Sequence, residues 1–319
     1  MSDDKKPKPE ATEFVRDPDL CVITCAVTGV LANRKQCPGI PYTPVEIAEE
    51  AKRAYDAGAS VLHIHARQDD GTPTFAPGTF AKIKDEIEKR CPIILNFSTG
   101  TILDDVTEQC TYIKESRPHI AALNMGTMNY SKYSETRKAF VFDMVFSNTY
   151  GKIIKMLEAM NEAGVKPELE CFDTGHTHGI WPLLDMGILK KPLQFSFIMN
   201  VLGGIPPHVE SLQLQTKIMP PGSEWEVIGI SKCGWRMIAS ALVLGGNIRA
   251  GLEDNLYLPD GKMARGNGDL IDVCARLVRD TGRKVATVEE AKKILSLDQF
   301  QRTDVGAKTE TPTAAQPFN

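Results

Sequence analysis

His63 and His65 stand two residues apart in the stretch Val61-Leu62-His63-Ile64-His65-Ala66-Arg67. An extended chain sends alternate side chains to opposite faces, so the two imidazoles and Arg67 share one side while Leu62, Ile64 and Ala66 share the other. With the apolar side under helices, the histidines point into an interior where an unpaired polar group is costly, and they need a partner. A divalent metal is the simplest one, because neighbouring same-face nitrogens can converge on a centre about 2.0–2.1 Å from each. Two histidines merely hydrogen-bonded near a strand end are the rival reading of the pair alone.

A second stretch, Asn247-Ile248-Arg249-Ala250-Gly251-Leu252-Glu253-Asp254, places Asn247, Arg249, Gly251 and Glu253 on one face by the same alternation. A Glu253 carboxylate facing the two histidines across an interior completes a His₂Glu set with an open coordination position, the arrangement of catalytic zinc. An Arg249–Glu253 structural ion pair is the alternative. Asp254 beside them is a candidate general base whose pKa Arg249 and the metal would set, or else a cap or turn residue. Ser98, Thr99, Asn124, Thr127 and Asp173 also fall at strand ends. His176 and His178 form another H-x-H, but they follow Gly175 in a loop and read as solvated or substrate-facing. His119 and His208 have no expected role.

The elements that must position these residues alternate with little interruption. Strands are expected at Cys21–Gly29, Ser60–Arg67, Pro92–Gly100, Ile120–Gly126, Glu168–Gly175, Leu193–Val201, Glu226–Ile230 and Asn247–Leu252. Helices are expected at Val45–Ala57, opened by Thr43, Pro44 and Glu46, then at Thr79–Arg90, Asp104–Glu115, Tyr150–Ala163, Arg236–Leu244, Leu270–Thr281 and Val288–Leu295. Eight strands with intervening helices give a closed (β/α)8 TIM barrel with N- and C-terminal extensions: an arm over 1–17, one barrel domain over 18–303 and a tail over 304–319. An open doubly wound sheet is the rival, and the G-x-G-x-x-G of its usual dinucleotide site is missing from the first strand-to-helix turn. The stretch 128–148 exceeds an ordinary connection and is a candidate lid or interface.

The chain has 319 residues, 42% hydrophobic and 24% charged, and a formal net charge of −4. That is an ordinary globular composition. No dense basic run interleaves with aromatics, which excludes a nucleic-acid footprint. No stretch approaches ~18 continuous apolar residues, and the first seventeen lack the apolar core of a secretory signal, so a soluble cytoplasmic protein without a membrane partner is expected. Eight scattered cysteines without C-x-x-C pairs read as reduced, buried small hydrophobes.

Taken together, Thr28-Gly29, the helix entry over Pro41–Asp56, His63-x-His65-x-Arg67-x-Asp69-Asp70-Gly71, Ser98-Thr99-Gly100, Leu123-Asn124-x-Gly126-Thr127-x-Asn129 and Gly246-Asn247-Ile248-Arg249-x-Gly251-x-Glu253-Asp254-Asn255 resemble the β-keto acid cleavage enzymes, from about Cys21 to Leu297. The resemblance implies a zinc TIM barrel that exchanges carbon fragments between a β-keto acid and acetyl-CoA, giving acetoacetate and a new acyl-CoA. It implies His63, His65 and Glu253 as zinc ligands, Arg249 and Asp254 as the catalytic pair, and Ser98 at the substrate carboxylate, with Thr99 and Asn124 beside it. Gly203 and Gly204, like Gly245 and Gly246, open loops whose amides could meet CoA phosphates. A homo-oligomer is expected. Where members taking an amine-bearing substrate have a Glu, this chain has Leu31, and Ala122 replaces a Thr. A substrate without a terminal amine is therefore expected. A metal-dependent hydrolase of the amidohydrolase type is the alternative, although its H-x-H ordinarily sits on the first strand.

Overall fold

Thr43 opens the first helix, α1 (Pro44–Ala57), by a complete capping box: its side chain accepts from the Glu46 N–H, and Glu46 reaches back to the Thr43 N–H. Such caps are worth about 0.5–2 kcal/mol. Gly58 ends the helix at φ 117°, in the left-handed region open to glycine. The chain then re-enters the sheet one strand over, as a right-handed crossover requires.

The computed structural model describes residues 17–300. The expected arm, up to residue 16, and the tail over 304–319 lie outside the described residues. Eight parallel strands form the barrel: β1 (Ile23–Ala26), β2 (Val61–Ile64), β3 (Ile94–Phe97), β4 (Ile120–Asn124), β5 (Lys166–Cys171), β6 (Gln194–Met199), β7 (Glu224–Gly229) and β8 (Asn247–Ala250). They pair in chain order, and β8 closes the ring onto β1 with Arg249 opposite Thr24.

Outside the ring, α1 and α2 (Pro77–Glu88) lay Ile47, Ala51, Phe80 and Ile83 over Leu62, Ile64, Leu95 and Phe97 in one apolar cluster. α3 (Thr107–Ser116) and α4 (Tyr150–Ala163) follow β3 and β4. Two short helices, α5 (Thr174–His178) and α6 (Trp181–Asp185), follow β5, and α7 (Val209–Ile218), α8 (Gly234–Val243) and α9 (Asn267–Asp280) follow β6, β7 and β8. The last helix, α10 (Val288–Ile294), closes the amino end of the barrel, where Ala291, Ile294 and Leu295 pack on Val22, Val61, Ile94 and Ile120. The inside of the ring is polar: Thr24, His63, Asn96, Glu168, Glu170, Ser196, Glu226 and Arg249 are all buried. Branched apolar side chains usually fill that space.

Three sequence expectations change. The stretch after β4 is an antiparallel hairpin, Met128–Ser134 with Ala139–Phe146. Its second arm alternates in burial, with Phe142, Met144 and Phe146 turned in and Val141, Asp143 and Val145 turned out. α7 was not expected, because its ten residues bury just Leu212 and Gln215, too few for an apolar stripe. His176 and His178 lie on α5 rather than in a loop, with Asp173 as the N-cap. Of the cysteines, Cys110 and Cys233 are half-buried and the other six buried, all with free thiols.

Candidate active site

β2 ends at Ile64, and both histidines turn into the barrel at its carboxyl end, His63 1% and His65 9% exposed. β8 ends at Ala250, so Glu253 is carried by the turn after it. That turn is tied to β1: the Glu253 N–H donates to the Ala26 carbonyl at 3.2 Å, and a Cβ on Gly251 would sit 2.0 Å from the same oxygen. A side chain at 251 would lift the turn off the barrel, and Glu253 with it.

Glu253 Oε1 lies 3.3 Å from His65 Nε2, and Oε2 lies 3.7 Å from His63 Nε2. Ligand atoms of the three residues all fall within 4.8 Å of one another. Glu253 Oε2 is buried and has no hydrogen-bond partner among the described residues. Two imidazoles and a carboxylate with an orphaned oxygen suit a divalent cation, and the donor set fits zinc. Burial, and then the Arg249 charge, hold His63 well below the usual histidine range, which keeps it in the neutral form a metal needs. Burial opposes ionisation of Glu253, but Arg249 and the two histidines outweigh it and hold the carboxylate well below its ordinary range.

Arg249 projects from β8 between these groups. Its Nε and Nη2 donate to the two oxygens of Asp254, both at 3.0 Å, and Nη2 also donates to Glu253 Oε1 at 2.8 Å. Nη1 lies 3.6 Å from Glu170 Oε1 and makes no hydrogen bond among the described residues. Asp254 is 6% exposed, so it is neither a cap nor a surface turn residue. Burial pushes its carboxyl up to about 6, with Arg249 pulling the other way. Glu170 is pushed up to about 8 by burial and by Glu168, so it holds a proton at neutral pH.

Above this cluster opens a pocket lined by His65, Ser98, Asn124, Glu170, Arg249, Glu253 and Asp254 at its floor. Leu31, Ile102, Tyr130, Met144, Phe146 and Ile230 are among its apolar walls. Leu31, 58% exposed, stands at the mouth. The hairpin forms one wall, its Tyr130 ring meeting Phe142, Phe146 and Phe172 at centroid distances of 5.9, 5.7 and 6.2 Å.

Thr99, Gly203 and Gly204 do not line this pocket, and Arg67, His119 and His176 have partners of their own. Thr99 is fully buried and its hydroxyl donates to the Ala122 carbonyl, away from the pocket. Arg67 is a clamp: its guanidinium donates to the carbonyls of Gly29, Ala32 and Gly71 at 2.7–2.9 Å, which fixes the loop carrying Leu31. Gly204 donates its N–H to Val201, and a Cβ on Gly203 would sit 1.9 Å from the Asn129 carbonyl. Close contact with the hairpin accounts for a glycine at 203. His176 accepts from the Phe172 N–H at 3.3 Å and packs against Gly126, while His178 is exposed. His119 Nδ1 accepts from the Leu95 N–H at 3.2 Å, a structural bond. Glu170, in the pocket, was missed by the sequence reading. Its period-two placement with Glu168, between Pro167, Leu169 and Cys171, was the signal available.

A TIM barrel with a His₂Glu cluster and an Arg–Asp pair beneath one pocket has an arrangement suited to metal-assisted acid–base catalysis. A family model, beta-keto acid cleavage enzyme, matches residues 20–297. The 3-keto-5-aminohexanoate cleavage enzyme of Fusobacterium nucleatum is 36% identical over 277 residues, 86% of this chain and 97% of that protein. The 3,5-dioxohexanoate:acetyl-CoA acetone transferase of Paraburkholderia graminis is 30% identical over 302 residues, 89% of this chain and 97% of that one. The chain belongs to the β-keto acid cleavage enzyme family. Among solved structures, ObcA in its apo form superposes with a TM-score of 0.66 at 19% identity, over 81% of this chain and 66% of that one, which speaks for the fold. No helix among the described residues is long and apolar enough to cross a membrane.

Proposed function

We propose that this chain is a zinc-dependent β-keto acid cleavage enzyme that condenses a β-keto acid lacking a terminal amine with acetyl-CoA. The balance is R–CO–CH2–COO⁻ plus CH3–CO–S–CoA giving R–CO–S–CoA plus acetoacetate. The observation that carries the proposal is the Arg249–Asp254 pair set against the His63, His65 and Glu253 cluster at the floor of one pocket. Family membership and acetyl-CoA in relatives' names supply the reaction class. They give the amidohydrolase alternative no support.

His63, His65 and Glu253 hold the metal, which when bound supplies Lewis-acid polarisation of a carbonyl. Asp254 takes the proton from the carbon between the two carbonyl groups of the β-keto acid, and Arg249 holds it in place through both oxygens. Ser98 and Asn124 offer a hydroxyl and an amide to the carboxylate end. The tail R lies along Leu31, Ile102 and the hairpin wall, whose side chains in the pocket are apolar or aromatic, while the acids Glu170, Glu253 and Asp254 lie at the floor with the reacting end. The tail is accordingly neutral and apolar. We also expect a homo-oligomer, readable by light scattering.

Acetoacetate formation from acetyl-CoA and β-keto acids with cationic, neutral and anionic tails tests the proposal. It stands if turnover needs both acetyl-CoA and metal and is fastest with a neutral tail. It fails if metal-loaded protein turns over no member of the panel.

A further inference from the structure

Below the histidines, five side chains from five strands form one line across the barrel: Thr24 on β1, Glu226 on β7, Ser196 on β6, Glu168 on β5 and Asn96 on β3. None is more than 3% exposed. Thr24 Oγ1 donates to Glu226 Oε2 at 2.6 Å. Ser196 Oγ lies 2.6 Å from Glu168 Oε1 and 3.2 Å from Glu226 Oε1. The Asn96 amide nitrogen donates to Glu168 Oε2.

A serine hydroxyl has one proton to give. The shorter contact assigns it to Glu168, so the contact with Glu226 is a hydrogen bond when Glu226 is the donor. Glu168 is then an acceptor at both oxygens, and Glu226 is the acid of the pair. Burial and the neighbouring Glu168 push Glu226 well above the ordinary carboxylate range, in agreement.

This polarity passes to Asn96. Its NH2 group faces Glu168, so Oδ1 is the end left for the other side. There His63 stands opposite Asn96 in register on the neighbouring strand. His63 Nδ1 and Asn96 Oδ1 are both buried, and neither has a hydrogen-bond partner among the described residues, so the two complementary groups left over are those of neighbouring side chains. One can donate and the other can accept.

We infer that Glu168 and Asn96 are positioning residues that hold His63 as the Nδ1–H tautomer, leaving the Nε2 lone pair turned toward Glu253 and the cation site. The inference rests on the metal reading above. Metal-ligating histidines commonly donate their second nitrogen to a carboxylate or carbonyl, which fixes the ring and raises its basicity. Here an amide relays the carboxylate to the ring. Glu170 is the competing acceptor, since it and Glu168 offer atoms within 4.8 Å of His63.

The test is the ring tautomer in metal-free protein at neutral pH, read by long-range 1H–15N correlation of labelled histidines, with the His63→Gln variant assigning the signal. Wild-type His63 is expected as Nδ1–H. In Glu168→Gln the new amide faces Asn96 with its NH2, the Asn96 amide turns over, and His63 switches to Nε2–H. Asn96→Leu removes the acceptor, and both variants bind zinc about 10–100-fold more weakly in a chelator competition. Glu170→Gln leaves the tautomer unchanged. An Nε2–H signal in the wild-type protein overturns the inference without any variant, as does a switch caused by Glu170→Gln alone. The tautomer is read without metal, so a failure to bind zinc counts against the proposed function and not against this relay.

Discussion

Asp254 meets Arg249 through both of its oxygens, at 3.0 Å each, inside a barrel where the arginine is 3% and the aspartate 6% exposed. A bidentate pair of this kind fixes the plane of the carboxylate as well as its place. Glu253 Oε1 accepts from the same guanidinium, so one side chain aligns Asp254 with the His63, His65 and Glu253 cluster.

Arg249→Lys keeps the charge but cannot make both contacts to Asp254. We expect kcat to fall by about 10²-fold with a native circular dichroism spectrum. Retained activity would mean that the geometry of the pair does not matter. Arg249→Met leaves three carboxyl groups around an uncharged side chain and should destabilise the fold by about 3–5 kcal/mol, visible as a lowered denaturation midpoint.

The cation site should report on stability as well as activity. Glu253 Oε2 has no hydrogen-bond partner among the described residues, so zinc held there should raise the melting temperature, with a gain of about 2.7 kcal/mol in stability at a hundredfold excess over Kd. Glu253→Gln should abolish that rise. A zinc-induced rise of equal size in the variant would move the metal elsewhere.

Leu31 stands at the pocket mouth on a loop clamped by Arg67. Leu31→Glu should raise kcat/KM for a β-keto acid with a cationic tail about tenfold and lower it for a neutral one, the gain expected of one charged hydrogen bond. No change in the ratio of the two would place the tail on another wall.

Glu46 accepts from the N–H groups of Tyr42 and Thr43 and from Arg34. Burial would raise its pKa, but these bonds bring it to about 2. The folded value lies below the ordinary glutamate value of 4.5, so its stabilising contribution is present above about pH 4.5 and disappears as pH falls toward 2. Glu46→Gln should therefore flatten the decline of unfolding free energy in that acid window. An unchanged slope between wild type and variant would contradict this.

The sequence carried the barrel because each strand is a short apolar run and α1 is bounded by Thr43 and Gly58. His63 and Arg249 were legible because alternation along two strands puts them on inward faces, a purely local property, whereas His65 and Glu253 lie just past the strand ends, where the turn that follows sets their place. Thr99 was less legible: it is a polar residue at a strand end, and whether such a side chain meets ligand or a carbonyl oxygen depends on neighbouring elements that alternation does not describe. The hairpin over Met128–Phe146 escaped notice although Phe142, Met144 and Phe146 repeat every second residue, because its inner face packs on the pocket rather than on a helix layer. Glu168, Ser196 and Glu226 sit singly on separate strands, and only closure of the barrel brings them together.

The central claim is an acetyl-CoA-dependent exchange at this metal and Arg–Asp site. The most direct measurement is acetoacetate production by zinc-loaded wild type and Asp254→Asn with acetyl-CoA and a neutral-tailed β-keto acid. The account predicts turnover by the wild type that stops when acetyl-CoA is omitted or zinc is chelated, and a loss of about 10²–10⁴-fold in the variant. Acetoacetate formed at equal rates by both proteins, or formed without acetyl-CoA, would contradict it.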